Sequence, residues 1–156
     1  MRAVVVGVGN AVRGDDAAGL AVAERVRGRA PEGVDVVECE QEPTRLLDAW
    51  DGADMAVVVD AALSGAEPGS VHRFDASAEG VPVRMFRSST HAFGIGDAVE
   101  LGRVLGRLPD RVVVFGIEGA EFALGSGLSD PVARAVDGVA GLVIGIHRGD
   151  GKRPPP

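Results

Sequence analysis

The chain contains no tyrosine, one tryptophan, one cysteine and one lysine in 156 residues. Each shortage removes a class of function. Stacking of nucleic-acid bases needs aromatic platforms, and five phenylalanines beside Trp50 supply few. Affinity for phosphate backbones or anionic lipid surfaces rests on clustered positive charge. Here 16 Lys+Arg stand against 23 Asp+Glu, a net charge of −7 with no basic block. Neither nucleic acid nor a membrane is therefore an expected partner. Cys39, being alone, permits no intramolecular disulfide and no cysteine-based metal cluster, so no oxidising compartment is required. The longest uncharged apolar run, GVAGLVIGI, has nine residues, under half of the roughly 20 that span a bilayer. The opening MRAVVVGVGN is too short and wrongly flanked for a signal peptide. The expected compartment is the cytoplasm.

What is present describes an ordinary globular domain. Hydrophobic residues make up 46% and charged residues 25%, and a chain of this length buries roughly 68–70% of its unfolded surface. A single domain is expected over residues 1–147. The tail 148–156, ending in three prolines, has lost periodicity and is expected to fray; the RGD triplet at its start is of a kind that arises often by chance.

The apolar pattern alternates between strand and helix. A β-branched run from Arg2 to Val8 reads as a strand buried on both faces. After a glycine-rich loop, Asp15 or Asp16 can cap a helix continuing to about Arg29, with Ala18, Val22 and Val26 on its buried face. A strand over Val34 to Glu40, a short helix from Thr44 to Trp50 and a strand over Met55 to Ala61 follow. Ser70 to Asp75 alternates like an edge or antiparallel strand. Ala98, Leu101, Leu105 and Leu108 give helical spacing, Arg111 to Gly116 a fifth strand, and Ser129 with Pro131 opens a last helix along Val132, Val136, Val139, Val143 and Ile146. This alternation predicts a layered α/β fold with a mostly parallel sheet.

In such sheets ligands bind beyond the carboxyl ends of the strands. Three polar residues fall there: Asp16 after the first strand, Asp60 closing the third in AVVVDAALSG, and His91 in RSSTHAFGIG. Two carboxylates and one imidazole can hold one divalent ion with positions left open, and the O,O,N set suits zinc, nickel, manganese or iron(II). Each residue also has a simpler use: Asp15 and Asp16 as helix caps, Asp60 in a turn, His91 on a loop. His72 and His147 read as structural, the latter at a helix end where the dipole favours a cation, and Cys39 as a small apolar filler. The first loop has G-x-G at Gly7 and Gly9, but Val12 replaces the third glycine of a dinucleotide fingerprint and two aspartates would repel a pyrophosphate. A flavodoxin-like cofactor domain is disfavoured on the same ground.

GVGN followed by GDDAAG, then VVVDA, SSTHAFG and FGIEG with GSGLSDPV, resembles the successive signature segments of the hydrogenase maturation endopeptidases, from Met1 to about His147. The resemblance implies a three-layer α/β/α sandwich with a mixed, mainly parallel five-stranded sheet. It implies an endopeptidase that removes the C-terminal extension of a nickel-iron hydrogenase large-subunit precursor after the metal centre is inserted, with Asp16, Asp60 and His91 surrounding a metal position. That metal is expected to be nickel carried by the substrate, with zinc or a similar ion possible in the isolated protein. Ala17 and Gly119 depart from the family's pattern near the expected cleft. Asp15 is expected mainly to cap and orient the loop, Gly7, Gly9 and Gly14 to let the substrate chain approach, and Asn10 either to hold the turn or to donate to a substrate carbonyl. A monomer is expected. The alternative is a non-catalytic module that recognises a nickel-loaded precursor without cutting it.

Overall fold

A computed structural model of the chain describes residues 2–40, 45–82, 85–86 and 94–148. Five strands form one sheet in the order β2-β1-β3-β5-β4: β1 Ala3–Gly9, β2 Val34–Glu40, β3 Met55–Ala62, β4 Val71–Asp75 and β5 Arg111–Glu118. The first four in that order run parallel and β4 pairs antiparallel with β5 at the edge, as the alternation of β4 predicts. The central strands β1 and β3 are buried at every position, which is why their sequences are continuous rather than alternating apolar runs.

Helices cover both faces. Against one face lie α1 (Ala18–Arg27) and α4 (Asp130–His147), whose Ala18, Val22, Val26, Val132, Val136, Val139 and Val143 pack on Val5, Val57, Val59 and Phe115. Against the other lie α2 (Arg45–Ala49) and α3 (Ile95–Val104), where Leu46, Trp50, Ile95, Ala98 and Val99 meet Val6, Val58 and Val114. The expected three-layer sandwich is thus the observed fold. Among the described residues no helix is long and apolar enough to cross a membrane.

Three expectations from periodicity need correction. The α3 spacing through Leu101 and Leu105 marks its exposed side; the buried side is Ile95, Ala98, Val99 and Gly102. Gly102 allows this, because its bare Cα faces Leu47 and Trp50 at a separation where a methyl group would be tight. Strand β5 continues past Gly116 to Glu118, since Ile117 and Glu118 still pair with Ala61 and Ala62 of β3. His147 closes α4, and its imidazole is pushed toward the neutral form, first by burial and then by the charge of Arg111, rather than toward the cation that a helix end favours. Cys39 is the buried filler expected, at the end of β2. Residues 149–156 lie outside the described residues.

The connections leave β1 in one direction toward β2 and return to β3 on its other side. The switch in strand order therefore falls between β1 and β3, and in open α/β sheets ligands bind at the carboxyl ends of the strands at such a point.

Candidate active site

The carboxyl ends of β1 and β3 are brought under α1 by Gly19. A Cβ at Gly19 would lie 2.2 Å from the Val59 carbonyl oxygen and 2.4 Å from that of Val8, so only glycine lets the helix sit this close to both strands. Between β1 and α1 the chain makes a single 3-10 turn, Gly14–Ala17, and this turn carries Asp15 and Asp16.

The backbone of Asp16 is gripped on both sides. Its N–H donates to the Arg13 carbonyl at 3.1 Å and its carbonyl accepts from Asn10 N–H at 3.1 Å. Asn10 Oδ1 accepts from Val12 N–H at 3.1 Å, so this side chain holds the turn, the first of the two roles expected for it. Gly9 is required by the same arrangement, because a Cβ there would come within 2.0 Å of the Asp16 carbonyl oxygen. A Cβ on Gly7 would strike the Gly19 carbonyl and Ala23, and one on Gly14, with φ +57°, the Glu121 carbonyl. All three glycines thus serve close approaches within the protein itself.

Asp60 is the last polar residue of β3 and is buried. Its Oδ1 accepts from Ala61 N–H at 2.8 Å. Its carboxyl is pushed well above the ordinary carboxylate range, first by burial and then by the negative charge of Asp16, against which that single hydrogen bond is a small counterweight. The structure therefore brings Asp16 and Asp60 close enough to interact electrostatically. Among the described residues no group of three His, Cys, Asp or Glu is arranged to hold a metal ion; His91, the third residue expected here, lies outside them. The described residues flanking its segment, Phe86 and Gly94, approach each other, and the Phe86 ring packs over Gly116, which pairs with Asp60.

Asp15 does not cap its own helix. It is fully buried, and its Oδ2 accepts from the N–H groups of Ala120 and Glu121 at 2.8 and 2.9 Å and from Ser129 Oγ at 2.9 Å. Its Oδ1 accepts from Ser129 N–H at 2.7 Å. Burial alone would raise its carboxyl, but these bonds together hold it below the ordinary value. Ser129, the N-cap of α4, spends its hydroxyl on Asp15 rather than on its own helix.

Sequence reasoning missed Glu118. It is buried at the end of β5, where its carboxylate accepts from the successive N–H groups of Ser64, Gly65 and Ala66 at 2.8, 2.8 and 3.1 Å, and from Ser64 Oγ at 3.0 Å. His72 Nε2 lies 3.3 Å from the same carboxylate, which gives that histidine the structural role expected of it. Burial opposes the charge of Glu118, and the Ser64 bonds and His72 outweigh it, leaving the carboxyl lowered. The glutamate of FGIEG, placed just beyond a strand end, was the available signal.

A family model described as hydrogenase maturation protease matches residues 20–146. The chain belongs to that family. The enzyme class expected from the sequence, a peptide-bond hydrolase, is accordingly the family's. No curated protein matches the chain. Among solved structures, it is similar to the hydrogenase maturating endopeptidase HybD from E. coli, at 22% identity with a TM-score of 0.80, covering 97% of this chain and 94% of that one. It is also similar to the [NiFe] hydrogenase maturation protease HycI from Thermococcus kodakarensis, at 25% identity and a TM-score of 0.72, covering 94% and 92%. A solution structure of an endopeptidase from Escherichia coli matches at 24% identity and a TM-score of 0.81, covering 97% and 94%.

Proposed function

We propose that the chain removes the C-terminal extension of a nickel-iron hydrogenase large-subunit precursor, and that Asp16, Asp60 and His91 form its working site. The observation that carries this reading is the placement of Asp16 in the turn after β1 and of the buried Asp60 near the end of the neighbouring strand β3, in a chain of the maturation protease family. Hydrolysis needs a base for the attacking water and a donor for the carbonyl oxygen. Two interacting carboxyls in unequal surroundings divide these tasks. Asp16, which is partly exposed, is the one assigned to take the proton of water. Asp60, held toward its protonated form, donates to the oxygen on which charge develops. The proton taken by Asp16 then goes to the departing amine as the C–N bond breaks.

The donor set also fits a divalent cation. Two carboxylates that repel each other, with imidazole nitrogen from His91, would be relieved by one positive ion, and such an ion lowers the pKa of water and polarises a carbonyl. With both carboxyls ionised to hold it, however, such an ion would already be neutralised, which would weaken that effect. The nickel of the precursor, as part of the substrate, is therefore read as the recognition element that marks a precursor ready for trimming. A resident zinc is the lesser role. Asn10 and Gly9, which build the turn, flank the path of the substrate chain. The working form is a cytoplasmic monomer.

The deciding experiment is cleavage of a C-terminally extended precursor by the purified protein, with nickel-loaded and nickel-free substrate in parallel. Trimming of the loaded precursor alone is expected. Binding of the loaded precursor without any cleavage would favour the non-catalytic module.

A further inference from the structure

We infer that Asp15 is a positioning residue for the reaction: its buried carboxylate ties the β5–α4 loop to the 3-10 turn and so fixes where Asp16 stands relative to Asp60. The inference rests on the reading of Asp16 and Asp60 as the working carboxylates.

The tie is dense and runs both ways. The loop gives Asp15 four hydrogen bonds, from Ala120, Glu121 and twice from Ser129, and Asp15 N–H returns one to the Glu121 carbonyl at 2.7 Å. A second bond joins the same two segments further out, Gly125 N–H to the Val12 carbonyl at 2.8 Å. Gly14 and Gly119 close the gap. A Cβ on the first would meet the Glu121 carbonyl at 2.4 Å, and one on the second the Asp15 Cβ at 3.0 Å. The loop is itself stiffened by Ser126, whose N–H and hydroxyl both donate to the Ala123 carbonyl.

Such an arrangement exceeds what a helix start needs. Capping requires a side-chain oxygen for one or two amides of the same helix, whereas the Asp15 carboxylate accepts from residues more than a hundred positions away in sequence. Asp16 is covalently next to it, and its remaining backbone bonds stay within the 10–16 turn. Asp15 thus links this turn through its side chain to the segment after β5, and β5 pairs with the strand carrying Asp60. Carboxylates acting together on one water tolerate little displacement, since an error of about 1 Å can cost on the order of 100-fold in rate.

The test compares Asp15→Asn, Ser129→Ala and Asp16→Asn in steady-state cleavage of the nickel-loaded precursor, well below each variant's melting temperature. Asp15→Asn keeps the shape of the side chain but turns a donor toward donors. Its kcat is expected to fall on the order of 100-fold with KM changed less than about threefold, the pattern of a group felt in the transition state rather than in binding. Ser129→Ala removes one of the four bonds and should give a several-fold fall in kcat at the same KM. Wild-type kcat in a folded Asp15→Asn variant would overturn the inference. If that variant does not fold, unchanged kcat in Ser129→Ala overturns it instead. A fully active Asp16→Asn variant would point to failure of the underlying site reading, a result distinguishable from either.

Discussion

Gly19→Ala tests how closely α1 must sit on the sheet. The added methyl would lie 2.2 Å from the Val59 carbonyl oxygen and 2.4 Å from that of Val8, against a normal carbon–oxygen contact of about 3.3 Å. Both obstacles are backbone atoms of central strands, so no side chain can turn aside and the helix must lift by about 1 Å. Overpacking costs about 1–3 kcal/mol where neighbours can yield; here the upper end applies, about 3 kcal/mol. For a chain of this size each kcal/mol moves the melting temperature by about 2–4 °C, so a fall of about 6–12 °C is expected. The 3-10 turn bearing Asp16 runs directly into α1, and cleavage should drop further than the folded fraction accounts for. Gly141→Ala is the control: it sits exposed in α4 with nothing within 4 Å of a Cβ, and the same change there should stabilise by about 0.5–1 kcal/mol. Thermal unfolding of the two variants beside the parent decides the matter. A Gly19→Ala melting temperature within about 2 °C of the parent would refute the close-packing argument.

Asp60 and Glu118 should respond to pH with opposite signs. Asp60 has a raised folded-state pKa, so the fold binds its proton more tightly and loses stability as pH rises above the unfolded value of about 3.9. Asp60→Asn should thus match the parent near pH 3.5 in urea unfolding and exceed it at pH 7; a less stable variant at pH 7 would contradict this. Glu118 has a lowered pKa, so its contribution is present above about pH 4.3 and is lost on acidification. Glu118→Gln should cost about 1–3 kcal/mol at pH 7, with the difference shrinking toward pH 3, and a constant difference would be the wrong outcome. Asp16→Ala should abolish precursor cleavage, and in the parent cleavage should track nickel loading of the precursor. Rapid cutting of nickel-free precursor by zinc-loaded protein, lost on chelation, would establish a conventional metalloprotease instead.

The parts of the fold that were legible are those where one force dominates. Continuous β-branched runs can be buried only on both faces, which placed β1 and β3, and the four-residue spacing of Ala18, Val22 and Val26 found the true inner side of α1. In α3 the rule misled because bulk was taken as a sign of burial. Ile95, Ala98, Val99 and Gly102 make the contact, while Leu101 and Leu105 are left outside and Leu108 packs on the core. Asp60 could be found because a carboxylate ending an apolar strand is conspicuous. An orienting role for Asp15 was readable beside the capping role it does not have, but its partners at residues 120, 121 and 129 were not, because no local pattern reports so distant a hydrogen bond. Glu118 was hidden for the same reason, since the amides it gathers belong to another loop.

The strand order bears on how the protein is made. Asp16 and Asp60 both emerge early in synthesis, yet β5, which pairs with β3 along its whole length, spans residues Arg111–Glu118, and α4 follows it. Until those last segments leave the ribosome, β3 presents an open, apolar edge of the kind that recruits other strands. The turn with Asp16 likewise lacks its partners at 120, 121 and 129. At roughly 5–20 residues per second, several seconds separate the appearance of the two aspartates from the moment their surroundings are complete. If the proposed site is right, a chain truncated before β5 would carry both acids and cut nothing.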